Sequence, residues 1–162
     1  MADTDLARLP TDGEMTAWRS FLRAHARVTR SLEADLIAEQ RLSLAAYDVL
    51  LQLAESVDYR LRMTELADAV LLSRSGVTRL VDRLERAGLV RRSRVDTDGR
   101  GVMAVLTPHG LERLREATET HLTGVVRYFS SQLAEYQLDV LGETCAKLAD
   151  GKIPTPSGGV DT

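Results

Sequence analysis

Cysteine occurs once in this chain, at Cys145, so no internal disulfide can brace the fold, and a lone thiol fits a reducing compartment. Its place beside Leu141 and Leu148, with no cationic cluster nearby, reads as a small hydrophobe and not as a redox sensor. Lysine is almost absent, at Lys147 and Lys152 only, and the catalytic signatures built on it or on glycine are missing. No Gly-x-Ser-x-Gly, glycine-rich phosphate loop or Ser-x-x-Lys occurs, so no enzyme is expected. The three histidines, His25, His109 and His121, are dispersed without a close second ligand, so neither a metal nor another cofactor is expected. No apolar run approaches the roughly 18–20 residues of a membrane span. Residues Met1 to Pro10 carry two acids and one arginine and lack the apolar stretch of a secretory signal. Together these absences predict a cytoplasmic, non-membrane protein.

What is present is globular composition: 162 residues, 44% hydrophobic and 28% charged. Net charge is −3, which argues against a protein that coats nucleic acid, but the charge is unevenly placed. Between Arg60 and Gly101 there are ten arginines against six acids, while the rest of the chain is acidic. A basic middle between acidic ends suits a localised phosphate-binding surface, although a solvated charged face would show the same count.

Aromatic residues make up only 4%, and strand-like runs are confined to residues 90–106; the remainder reads helical. Thr11-x-x-Glu14 predicts a capping box opening a first helix, with Trp18, Phe21, Leu22, Val28, Leu32 and Leu36 at helical spacing. Ser43 predicts the cap of a second helix carrying Leu44, Tyr47, Leu50, Leu51 and Ala54. Residues 56–62 read as a loop or short strand, and Thr64 as the start of a short helix bearing Leu66, Ala67 and Val70. Ser73 caps a fourth helix, which Gly88 ends. Two extended segments, Leu89–Val95 and Val102–Leu106, flank a polar, glycine-bearing turn. Thr107 and Pro108 occupy N-cap and N1 of a helix whose stripe is Leu111, Leu114, Thr118, Leu122, Val125 and Phe129. A last helix carries Leu133, Tyr136, Val140, Leu141, Thr144 and Leu148. The expected fold class is mainly α with a small β-hairpin wing. The winged helix-turn-helix spans about 43–107, inside a folded region of 11–149. Residues 1–10 and 150–162 are expected to be flexible.

The function is carried by residues 64–106. In the Ser73–Ala87 helix, Val77, Leu80, Val81 and Leu84 form one inward face. The opposite face holds Ser75, Arg79, Asp82 and Arg86, flanked by Arg74, Thr78 and Arg83. Small residues Ser73, Ser75 and Gly76 let the helix start approach base edges, and Arg74 and Arg79 can reach guanine or phosphate. Thr64, Arg83 and Arg94 are placed to anchor phosphates. At the turn between the strands, Arg100 suits a minor groove, held by Asp98. A merely solvated helix would share this periodicity; the short helix before it and the hairpin after it favour the DNA reading.

Glu65-Leu-Ala-Asp-Ala-Val-Leu-Leu-Ser73-Arg-Ser-Gly-Val-Thr-Arg79-Leu-Val-Asp-Arg83-Leu-Glu-Arg-Ala-Gly88-Leu-Val resembles the helix-turn-helix of MarR-type regulators. Asp98-Gly-Arg100-Gly101-Val and Leu106-Thr107-Pro108-His109-Gly110 resemble that family's wing and its return into a helix. The resemblance implies a homodimer formed by helices in about 11–40 and 108–149, straddling a pseudo-palindromic operator on double-stranded DNA. It also implies a repressor answering to a small aromatic or phenolic ligand, for which Trp18, His25 and Tyr47 are candidate contacts. A winged-helix protein-interaction module, or a small-molecule-binding protein without an operator, remains the alternative.

Overall fold

The computed structural model describes residues 8–70, 72–94 and 101–151. Helix α1 (Asp12–Asp35) continues through a π-helical turn, Leu36–Gln40, to a left-handed Arg41. Then follow α2 (Leu44–Glu55), a 3-10 turn at Val57–Tyr59, β1 (Arg60–Arg62), α3 (Met63–Ala69) and α4 (Arg74–Arg86). β2 (Val90–Arg94), β3 (Val102–Leu106), α5 (Pro108–Tyr128) and α6 (Glu135–Asp150) complete the order.

Local chemistry sets most of these starts. Thr11 Oγ1 accepts the Glu14 N–H at 3.3 Å while the Glu14 carboxylate accepts the Thr11 N–H at 2.7 Å, the capping box expected from sequence. Ser43 Oγ accepts from the Ala46 N–H at 3.1 Å, Ser73 Oγ from Gly76 at 3.1 Å and Thr107 Oγ1 from Gly110 at 2.9 Å. Gly88 ends α4 with φ +73°, a conformation that costs glycine little.

Two boundaries differ from expectation. The short helix begins at Met63, one residue before Thr64, because Glu65 reaches back 2.9 Å to the Arg62 N–H and makes Arg62 the cap. The wing is a three-stranded antiparallel sheet in the order β1-β3-β2, not a bare hairpin. Arg60, Leu61 and Arg62 pair with Val105, Ala104 and Met103. The third strand exists because β3 offers an edge to a segment too short to show alternation of its own.

The core lies within the winged-helix lobe. Val49, Leu50 and Leu53 of α2 meet Leu66 of α3, Val77 and Val81 of α4, and Val90 and Ala104 of the sheet, all within 1% of full burial. Leu114 and Ala117 close this core from α5, and Leu36 does so from the end of α1. The buried face of α5 is Gly110, Leu114, Ala117, Thr120 and Gly124, which keeps only Leu114 of the stripe expected from spacing. Leu122, a member of that stripe, is 56% exposed. Close approach contributes: a Cβ on Gly124 would come within 2.7 Å of Leu32 Cδ2, so any side chain there would have to displace Leu32 of α1. Polar pairs finish the seam, with Tyr128 Oη donating to Asp35 Oδ2 at 2.7 Å and Thr120 Oγ1 to Glu39 Oε2 at 3.0 Å.

Thr107 and Gly110 fasten α5 to the far end of α4. Thr107 Oγ1 donates toward the carbonyls of Gly88 (2.7 Å) and Leu89 (3.0 Å). A Cβ at position 110 would lie 2.0 Å from the Leu89 carbonyl oxygen. Gly110→Ala therefore forces backbone apart, and it should destabilise the protein by about 1–3 kcal/mol. Urea unfolding of the variant checks this, and a midpoint equal to wild type contradicts it.

Candidate nucleic-acid interface

Helix α4 turns Val77, Leu80, Val81 and Leu84 into the core, which fixes by rotation what it presents outward. Ser73, Arg74, Ser75, Thr78, Arg79 and Arg83 are all exposed, and Gly76 is half-buried. Ser73 Oγ lies 3.2 Å from Ser75 Oγ, so the two hydroxyls form one small polar knob at the helix start. Thr78 Oγ1 is turned back onto the Arg74 carbonyl at 2.9 Å, leaving its methyl outward. Among the described residues Arg74, Arg79 and Arg83 form no ion pair, so their charge is free to meet an anion. Thr64 is exposed in the first turn of α3, and Arg94 is exposed at the end of β2. Asp98 and Arg100, the wing residues expected to reach a minor groove, lie outside the described residues.

Arg92 is one of the ten arginines that make the middle of the chain basic. The structure ties it to α4 instead: its guanidinium meets Asp82 Oδ1 at 2.6 Å and Glu85 Oε2 at 2.7 Å. Glu85 Oε1 also accepts the Arg92 backbone N–H at 3.0 Å, and these bonds hold the Glu85 carboxyl below its ordinary pKa. The hint in the sequence was the pairing of acids at 82 and 85 with an alternating basic strand. An open cleft of about 440 Å³ lies alongside, lined by Arg62, Met63, Thr64, Thr78, Arg92, Gly101 and Val102.

The candidate ligand contacts fall into two settings. Trp18 and His25 lie with Phe21 in one row on α1, ring centroids 6.2 and 6.4 Å apart, and Trp18 is 53% exposed. Tyr47 is buried in the core, stacked on His121 with centroids 4.4 Å apart, its hydroxyl 3.5 Å from Thr118 Oγ1. His121 Nδ1 is buried without a partner. Burial pushes the His121 pKa down and the neighbouring Asp48 pKa up, and each charge partly opposes the other's shift. Cys145 is half-buried on α6. Among the described residues no three His, Cys, Asp or Glu side chains are grouped to hold a metal, and no helix is long and apolar enough to cross a membrane.

This arrangement is similar to known regulators. A family model described as MarR family matches residues 42–101. The chain is 36% identical to Sco3205, a MarR family transcriptional regulator from Streptomyces coelicolor solved in complex with DNA. That likeness covers 94% of this chain and 96% of Sco3205, with a TM-score of 0.84. Two curated relatives match over shorter stretches. The regulator PecS of Dickeya dadantii (strain 3937) is 28% identical over 59% of this chain, a span that is 57% of PecS. The repressor YetL of Bacillus subtilis (strain 168) is 29% identical over 69% of each.

The buried imidazole sets a pH dependence. A histidine whose folded pKa is depressed takes up its proton more readily when unfolded, so stability is present above the ordinary value of 6.5 and is lost as pH falls through it. Urea midpoints between pH 5 and 8 should therefore decline on the acid side in wild type and decline less in His121→Leu. Parallel profiles would show that His121 does not carry this linkage.

Proposed function

The chain belongs to the MarR family of DNA-binding transcriptional regulators, and we propose on that footing that it is a ligand-responsive repressor acting as a homodimer on a pseudo-palindromic operator. The observation that carries this reading is the pairing of two uncovered surfaces. One is the arginine-bearing outer face of α4. The other is apolar: Trp18, Phe21 and Leu22 on α1 and Tyr136, Val140 and Leu148 on α6 are 44–69% exposed. Helix α6 buries no residue at all in the single chain.

Covering those six side chains on each of two copies is worth on the order of 10–20 kcal/mol. Association costs about 4–15 kcal/mol, so a second copy is an adequate partner. An isologous dimer places two α4 helices about one DNA turn apart, in successive major grooves. Base choice then falls to Ser73, Arg74, Ser75, Gly76, Thr78 and Arg79. Thr64, Arg83 and Arg94 anchor phosphates, and Arg100, steadied by Asp98, enters the flanking minor groove.

The same pairing accounts for regulation. A small aromatic or phenolic ligand between the dimer helices and the lobe, beside Trp18 and His25 and reaching Tyr47 only if that buried ring is uncovered, acts by preferring a dimer whose α4 helices no longer match the groove spacing. It shifts the equilibrium only by its difference in affinity for the two shapes. Repression fits a protein whose bound dimer occludes the duplex, and the name of YetL supports it. The action is assigned to the cytoplasm, with no catalytic step.

Genomic fragments bound at two salt concentrations test the reading: the protein should select a sequence and lose affinity steeply as salt rises. Weak binding without fragment preference would instead mark a protein-interaction module. Arg100→Ala should weaken the selected site by about 1–3 kcal/mol, and Arg79→Ala should relax base preference among operator variants. Val140→Asp puts a charge on the α6 apolar face, and sedimentation should show it shifted toward monomer by at least roughly tenfold in dissociation constant. A Val140→Asp protein that dimerises like wild type would remove α6 from the interface.

A further inference from the structure

Arg92 stands on the wing strand β2, yet its guanidinium is spent on the recognition helix. One planar fork spans Asp82 and Glu85, and its Nη2 also lies 3.4 Å from the Thr78 carbonyl, so one side chain gathers three positions spaced about a turn apart along α4. Glu85 grips the same residue twice, through side chain and backbone N–H. The cluster is partly shielded, with the Arg92 side chain 26% exposed. Among the described side-chain hydrogen bonds and ion pairs, those of Arg92 are the ones that join α4 to β2, while Leu84 and Val90 are buried together in the core beneath them.

Asp82 and Glu85 are out of place on a helix meant to approach phosphates, since each carboxylate there repels the backbone it must meet. Their presence is explained if they serve geometry. We propose that Arg92 is a positioning residue for DNA recognition: it clamps β2 to the outer face of α4, so that helix and wing reach the duplex at one fixed angle, and it offsets part of the charge of the two carboxylates that the helix carries. The inference rests on the DNA-regulator reading and adds to it a residue that acts through Asp82 and Glu85 and not through contact with phosphate. Arginine suits the task because its fork reaches two carboxylates at once; lysine offers a single point charge.

The clamp makes a prediction whose sign is opposite to simple electrostatics. Asp82→Asn combined with Glu85→Gln removes two negative charges from a DNA-facing helix and releases a positive one, so charge alone predicts tighter binding to every duplex. The clamp predicts weaker binding to the right duplex. The experiment uses the full-length protein and two probes: a duplex that the wild-type protein enriches from a randomised pool, and a scrambled duplex of the same composition. The carboxylate variant should lose roughly tenfold or more in preference for the enriched duplex while its affinity for the scrambled one holds or rises.

Arg92→Met should show the same loss of preference, and adding it to the carboxylate variant should cost little more, because all three side chains serve one contact. Its salt dependence should match wild type, whereas a lost phosphate contact would lower the slope by about one. Arg92→Lys should recover only part of the preference. Circular dichroism and sedimentation identify any variant that misfolds; the carboxylate variant, nearly isosteric and on the surface, keeps the question open to refutation. Failure of wild type to enrich any duplex overturns the regulator reading and the clamp with it. Enrichment by wild type together with a carboxylate variant that binds the enriched duplex as well or better overturns the clamp alone.

Discussion

Helix α6 and the first turns of α1 expose apolar side chains that nothing among the described residues covers. Water imposes this constraint, and the rest of the architecture answers to it. Leu32 and Leu36 carry the far end of α1 into the lobe, where the π-helical turn delivers the chain to α2, and α5 runs back along that seam. Whatever covers the exposed ends is thus coupled through α1 and α5 to the core that holds α4 in place. In a symmetric dimer, the spacing of the two α4 helices becomes a property of the apolar interface.

Within the lobe, order comes from a few close approaches. Gly110 lets α5 start against the Leu89 carbonyl, Thr107 ties that start to the end of α4, and Arg92 ties the other side of α4 to the wing. Helix α4 is therefore held at its C-terminal end and along its acidic flank. Its N-terminal turn, with Ser73, Arg74 and Ser75, is left open to approach a partner. Such a division suits a reading head, in which the contact surface is exposed but its support is not.

Much of this was legible in the residues, for a physical reason: helix caps are local. Thr11, Ser43, Ser73, Thr107 and Gly88 act on atoms within a few residues, and β3 runs over the segment read as extended, Val102–Leu106. What stayed hidden was non-local. The choice of strand over loop for β1 comes from its pairing with the edge of β3, and the buried face of α5 keeps only Leu114 of the expected stripe, with Gly124 set close against Leu32 of α1. Arg92 counts as a basic residue in any sequence reading and as a neutralised one in the fold. Spacing also identified apolar stripes on α1 and α6 without revealing that Trp18, Phe21, Tyr136 and Val140 are left exposed in the single chain.

The central claim is that two copies present two α4 helices and their wings to one duplex. Hydroxyl-radical footprinting on a DNA fragment that the protein selects tests it most directly. Two protected segments, centred about one helical turn apart and related by two-fold symmetry, are the result this account predicts. A single protected segment bound by one chain would contradict it.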